Sequence, residues 1–445
     1  MNTKTKNNAS VGRILAWGTR PIALGSITII IGYLSLYCTN TLHMEPALVG
    51  TLLMASKIFD GVTDLVAGWL VDNTNSKWGK GRPYELSLIG AWVCTWALFS
   101  TPERWGTVGK SVWLFVFYTL VFSVFYTLLN AGETPYIIRA FGDAISVSKV
   151  SSYVGIFVTI GSVVIAMLFP MMVGSMATSA AGWSKLIAMF GVPLTIFGMI
   201  RFFLIKETYV DENEGNEQKA EKLSLKEIAV AIKSKYIWLA SIGVAIANLI
   251  MGMSVGSYYF TDVVGDIAKM STVTMVTSLN VLAMVIFPIL LKKYSVMQIA
   301  AGVSVVGAAG YFINFIAGGN MGLLMIGALL GSFAALPFSY LRSVICMQIA
   351  DYNEANHMAR MEATLAAVMN FLAKIGSALG SFMVGVMLSM GGYDGNLSTQ
   401  PDSALFMIKV LYGLIPAVLT LITVPCAIGF RPLDKWTKER QGKGE

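Results

Sequence analysis

Apolar residues in this chain fall in long unbroken runs separated by short polar stretches, a pattern unlike the alternation or half-apolar helix faces of a soluble protein. A bilayer core about 30 Å thick calls for about 20 apolar residues per helix. Runs of that size lie at roughly 21–41, 46–72, 85–102, 111–137, 151–174, 182–204, 236–262, 272–291, 297–317, 320–349, 361–391 and 404–430, which predicts twelve spans. Lipid offers backbone amides no water, so each span must be helical, and none shows the ten-residue alternation of a membrane barrel. The first twenty residues lack a secretory leader pattern, so the first span is expected to direct insertion.

The long charged stretch Glu207–Lys235 divides six spans from six. The expected layout is therefore residues 1–205 as one six-helix bundle, 206–235 as a cytoplasmic linker, 236–430 as a second bundle and 431–445 as a tail. Leu225, Ile228, Ala229 and Ile232 would share one face of a helix lying along the membrane surface. Two such bundles are the arrangement of the major-facilitator fold, with substrate held near the midplane between them.

Composition sharpens this picture. With 55% hydrophobic and 13% charged side chains, the chain is too apolar for a soluble enzyme, and an enzymatic role is not expected. Two histidines and four isolated cysteines give no metal-ligand spacing. With both termini cytoplasmic, roughly 25 Lys and Arg fall inside and about four outside, as the positive-inside rule requires. The net charge of +7 thus implies contact with anionic headgroups of a plasma (inner) membrane, and no nucleic-acid partner is needed.

Ionisable residues within spans are costly and mark function. Lys57, Asp60 and Asp64 in the second span, spaced by three and four positions, share one helix face. Two neighbouring carboxylates in a low dielectric need a compensating proton, sodium ion or lysine. Asp60 and Asp64 are therefore candidates for a coupling-ion site. A Lys57–Asp60 pair that only fixes helix packing is the structural alternative. The fourth span adds Tyr126, Thr127 and Asn130, a polar strip that could supply further oxygens or simply join helices. In the eleventh, Lys374 follows Asn370 by one turn and needs an anion across a cavity. Tyr33 belongs to a group of aromatics able to stack on a flat apolar face of a ligand or to form packing and interfacial belts. Glu133 reads as a gate or a substrate contact, and Glu85 as interfacial.

Residues 57–83, KIFDGVTDLVAGWLVDNTNSKWGKGRP, and 351–380, DYNEANHMARMEATLAAVMNFLAKIGSALG, together with FYTLLN at 125–130, resemble the glycoside–pentoside–hexuronide:cation symporter family, that of the melibiose carrier, within the major facilitator superfamily. The resemblance implies that Asp60 and Asp64 ligate the cation, with Thr63 and Thr127 as accessory ligands, and that Lys374 links the ion and sugar sites. It also implies cation-coupled uptake of a sugar, glycoside or uronide by alternating access, with no cofactor besides the proton or sodium ion. Asn130 stands where the melibiose carrier has a third carboxylate, which leans the coupling toward protons. That carrier's helix-one carboxylate falls at about Leu24 and its helix-five arginine is missing near Tyr153. Those losses leave a lipid or amphiphile carrier on the same scaffold as the alternative. For gating, the charged set is Lys57, Arg82, Arg139, Asp351, Glu354, Arg360 and Glu362, in ion pairs worth about 0–1 kcal/mol each when exposed.

Overall fold

The computed structural model describes residues 10–74, 76–142, 144–208, 234–280, 286, 289–290, 293–340, 342–356 and 362–441. Most of the linker, with its predicted surface helix, and the gating candidate Arg360 lie outside the described residues, as do the side chains of Asp64 and Glu362. Among the described residues there is no strand beyond an isolated bridge between Ser76 and Gly79. Among the described residues, nine helices are long and apolar enough to cross a membrane. The chain divides into two compact units, residues 1–217 and 218–445.

In the first unit the helices are α1 (Val11–Thr41), α2 (Pro46–Asp72), α3 (Ser87–Leu98), α4 (Thr107–Phe141), α5 (Ala144–Met176) and α6 (Ala180–Leu204). α1 begins ten residues before the predicted span, because Ile14, Ala16 and Trp17 have somewhere apolar to go. The Trp17 ring packs 4.8 Å from Tyr136 and 5.3 Å from Phe141, with Val150, Val154 and Ile205 in the same cluster. α1 lies against α5 and α6, and α2 against α4. Small residues set these contacts: a Cβ on Gly198 would stand 2.7 Å from Ala23 Cβ and 2.4 Å from Leu88. The start of α6 is capped by the Ser179 hydroxyl, which accepts the Gly182 amide at 3.1 Å.

The second unit contains α7 (Lys235–Val263), α8 (Met270–Thr277), α9 (Val296–Ala317), α10 (Met321–Phe338), α11 (Glu362–Met390) and α12 (Asp402–Gly429), with a separate helix Arg342–Ala355 between α10 and α11 and a terminal one, Arg431–Gln441. The predicted tenth span, 320–349, is interrupted by turn residues 333–335, between Met321–Ser332 and Leu336–Tyr340. α7 and α11 pack backbone to backbone. Added Cβ atoms on Gly376 and Gly380 would fall 2.2 Å from the carbonyl oxygens of Ala245 and Leu249, and one on Gly252 would fall 2.4 Å from that of Ser377. This close approach of small residues replaces a hydrophobic driving force that lipid does not provide.

The two units share a local design that the spans alone do not reveal. α1 breaks at Gly32–Tyr33, continues as Leu34–Leu36 and ends in a π-helical segment, Tyr37–Thr41. α7 breaks at Ser254–Val255, where Ser254 takes φ +46°, continues as Gly256–Tyr258 and ends in the π segment Tyr259–Val263. Ser35, Tyr37 and Thr39 correspond in register to Ser257, Tyr259 and Thr261. Each tyrosine is fully buried in its own unit: Tyr37 against Phe99 and Trp183, Tyr259 stacked 4.2 Å from Tyr412 with its hydroxyl donating to the Gly318 carbonyl at 2.8 Å.

Candidate functional site

Asp60 lies near the middle of α2, half-buried, one turn after the half-buried Lys57. Lys57 thus stands eleven positions after Pro46 and fifteen before Asp72, on the same stretch of helix as Asp60. α4 approaches this point just where it widens into the π segment Leu120–Tyr126. Such insertions shift the helix register and recur at functional sites. Thr127 is the first residue after the segment, and its hydroxyl sits 3.1 Å from Asp60 Oδ1 and 3.0 Å from the Phe122 carbonyl. One proton is shared between two acceptors. Ser56, one turn before Asp60, and Thr119, earlier on α4, join the same helices, with their hydroxyls 2.8 Å apart.

Thr63 donates its hydroxyl to the Asp60 backbone carbonyl at 3.0 Å, so it can offer only an oxygen lone pair to a cation. Asn130 is exposed one turn beyond Thr127. Tyr126 is half-buried, with its ring 5.6 Å from Phe122. Tyr33 differs from the lining ring expected of it: at 3% exposure it packs edge-on against Phe169, 5.1 Å away, and is part of the core of its half. In the other unit the Asn370 side-chain oxygen accepts from the Arg342 guanidinium, which also reaches the Ala366 carbonyl. Lys374 is half-buried on α11 one turn further on, in the stretch that Gly376 and Gly380 press against α7.

The gating candidates occupy two places. Arg82 donates through Nε and Nη2 to the Phe202 carbonyl at 3.0 and 2.8 Å. The amides of Lys80, Gly81 and Arg82 donate to the Glu207 carboxylate at 2.7–2.8 Å, and Arg139 adds a contact at 3.4 Å. Gly79, at φ +114°, makes room for this cradle, since a Cβ there would fall 2.2 Å from the Glu207 carboxyl carbon. Arg82 and Arg139 are thus engaged with the end of α6 inside their own half. Asp351, half-buried, and Glu354, exposed, lie on the helix Arg342–Ala355.

A second ionic group was not anticipated as a unit. Arg20 of α1, Glu85 just before α3, Glu133 of α4 and Arg201 of α6 form a buried quartet. Arg201 binds Glu133 with two parallel contacts of 2.7 and 3.2 Å and reaches Glu85 at 3.4 Å, while Arg20 contacts Glu133 directly and Glu85 at 3.5 Å. The Arg201 guanidinium also stacks 3.4 Å from the Trp17 ring. Glu85 is therefore internal, contrary to its expected interfacial place. Arg20 escaped notice because it sits just outside the predicted first span, and Arg201 because it falls near the end of the sixth. Two arginines and two glutamates at or near the ends of four predicted spans were the available signal.

A profile described as MFS/sugar transport protein matches residues 21–434. The chain is 26% identical over 410 residues to the isoprimeverose transporter of Lactiplantibacillus pentosus, covering 88% of this chain and 82% of that one. It is 24% identical over 397 residues to a putative glycoside/cation symporter of Escherichia coli (strain K12), covering 87% and 84%. Among solved structures, the D-xylose–proton symporter aligns with TM-score 0.60 at 16% identity, over 92% of this chain and 96% of that one. The nucleoside transporter NupG aligns with TM-score 0.61 at 14% identity, over 95% and 99%. These two likenesses establish the major-facilitator fold.

Proposed function

The chain belongs to the MFS/sugar transport protein family, and from that premise we propose that it moves a sugar or glycoside together with a cation by alternating access. The observation that carries this reading is the Thr127–Asp60 contact between α4 and α2. A hydroxyl has one proton to give and two lone pairs to receive. When Asp60 is ionised, Thr127 donates to it; when Asp60 carries a proton, Asp60 donates to Thr127, whose own proton turns to the Phe122 carbonyl 3.0 Å away. The site keeps its hydrogen bonds in both states, which suits a carboxylate that loads and unloads a proton in each cycle.

Asp64, one turn further along α2, supplies a second carboxylate, and Thr63 and Asn130 are accessory oxygens. With an amide at 130, the oxygen set is poorer for sodium than a third carboxylate would make it. Tyr126, Asn130, Lys374 and Asn370 are the substrate contacts in this reading, and Asp351, Glu354, Arg360 and Glu362 join Arg82 and Arg139 in closing the cytoplasmic side. The excess of basic residues in alternate loops supports a plasma membrane location with both termini cytoplasmic.

The test is uptake into proteoliposomes of isoprimeverose and lactose under imposed proton or sodium gradients. The wild type should accumulate sugar against its gradient when protons drive it. Asp60→Asn should reduce accumulation to simple equilibration while sugar counterflow persists. Gradient-driven accumulation by Asp60→Asn at the wild-type level would reject the coupling assignment.

A further inference from the structure

The quartet is electrically balanced, two guanidinium groups against two carboxylates, yet its members are not equally enclosed. Arg20, Glu85 and Arg201 are 3%, 2% and 0% exposed, whereas Glu133 is 31% exposed. A structural ion cluster closes on all sides, because every carboxylate left open inside a membrane helix is costly. This one is open at a single edge.

The surroundings of that edge are polar. Tyr126, Asn130 and Glu133 follow one another along α4 at intervals of four and three residues, and so lie on one face, with the exposed Thr134 beside them. An amide, a carboxylate and a hydroxyl accessible together on a spanning helix must meet water and not acyl chains. The strip also continues toward Thr127, the residue that touches Asp60.

The carboxylate is held for binding. Oε2 takes Arg20 and Arg201, Oε1 takes the Arg201 Nη1 contact at 3.2 Å, and the Trp17 indole N–H also reaches the carboxylate, so the 31% of the side chain left exposed is the part open to a further donor. An oxygen so placed accepts a hydroxyl in a charge-assisted bond. It also repels a carboxylate brought to the same spot.

We propose that Glu133 is a substrate-contacting residue that accepts a sugar hydroxyl and selects neutral glycosides against uronides, with Arg20 and Arg201 fixing its orientation. This inference rests on the sugar-transport reading above. It predicts an inversion, because removing the Glu133 charge leaves two guanidinium groups facing the single carboxylate of Glu85.

The experiment is equilibrium binding to the purified full-length protein in nanodiscs, with isoprimeverose as the neutral probe and glucuronate as the acidic one. The wild type should bind isoprimeverose at least about tenfold more tightly than glucuronate, the size of one charge-assisted hydrogen bond. E133Q should weaken isoprimeverose by about tenfold and strengthen glucuronate. E133D should restore the wild-type order of preference. The rebalanced double variant E133Q/R20Q should lose the gain for glucuronate while keeping the loss for isoprimeverose, and it carries the test if E133Q alone does not fold. A wild type that prefers glucuronate, or an E133Q that shifts both probes equally or neither, overturns the inference and leaves sugar transport standing. A folded wild type that binds neither probe, and none of a wider sugar panel, removes the transport reading and this inference with it.

Discussion

Two groups of ionisable side chains sit inside the first six-helix unit, and the contacts described for them follow different plans, one ionic and the other including a hydroxyl. In the quartet, charge faces charge: Arg20 and Arg201 against Glu85 and Glu133, joining α1, α4, α6 and the segment before α3. Across the α2–α4 contact, Asp60 is met by the neutral hydroxyl of Thr127. A charge held by its opposite in a low dielectric resists change, since altering one partner strands the other. A carboxylate that meets a hydroxyl able to donate or accept can change protonation without losing that hydrogen bond. The first plan fixes four parts of a helical half in register while leaving Glu133 open at one edge. The second suits the coupling site proposed above.

Each plan predicts its own response to substitution. The largest effect is expected from Arg201→Ala, which leaves Glu85 and Glu133 against Arg20 alone; breaking a buried ionic group by removing one member costs about 3–5 kcal/mol. Thermal unfolding in detergent should show it as a large drop in midpoint, and replacing both partners in Arg201→Met/Glu85→Met should recover most of the loss. Recovery that fails to occur would mean the quartet contributes more than charge balance.

An intermediate effect is expected from Glu207→Ala, because this carboxylate is held by three backbone amides as well as by Arg139. Losing hydrogen bonds to a charged group costs about 1.5–3 kcal/mol. The unfolding midpoint should fall by less than in Arg201→Ala, and a drop of equal size would erase the distinction between an ion-paired and an amide-cradled carboxylate. The smallest effect is expected from Thr127→Val, which keeps the shape and removes one hydroxyl worth about 0.5–1.5 kcal/mol. Folding should be unchanged, apparent affinity for the coupling ion should fall about 2- to 10-fold, and Thr127→Ser should restore it. A stability loss in Thr127→Val matching that of Arg201→Ala would show that both groups follow the scaffold plan.

How far the site could be read in advance depended on where each residue stood in its run. Asp60, Lys57 and Thr127 interrupt long apolar stretches, so the cost of burying them drew attention at once. Arg20 and Arg201 carry the same cost but stand at the margins of apolar windows, where a snorkelling side chain is the ordinary explanation. Only the apolar contacts of Ile14 and Trp17 show that α1 starts at Val11 and that Arg20 is internal. Tyr33 could be named as an aromatic in a span, but whether a ring lines a cavity or fills a core depends on the neighbour it meets, here Phe169.

By itself, the sequence determined the membrane class, the helical spans and the helix faces that carry charge, because those follow from the length of apolar runs and from a fixed helical period. Tertiary structure decided which charges neutralise one another, which arginines hold the end of α6, and where α1 and α7 break into their matching π segments. These are contacts between residues far apart in the chain. Their energy depends on distance and burial, quantities that exist only once the helices have packed.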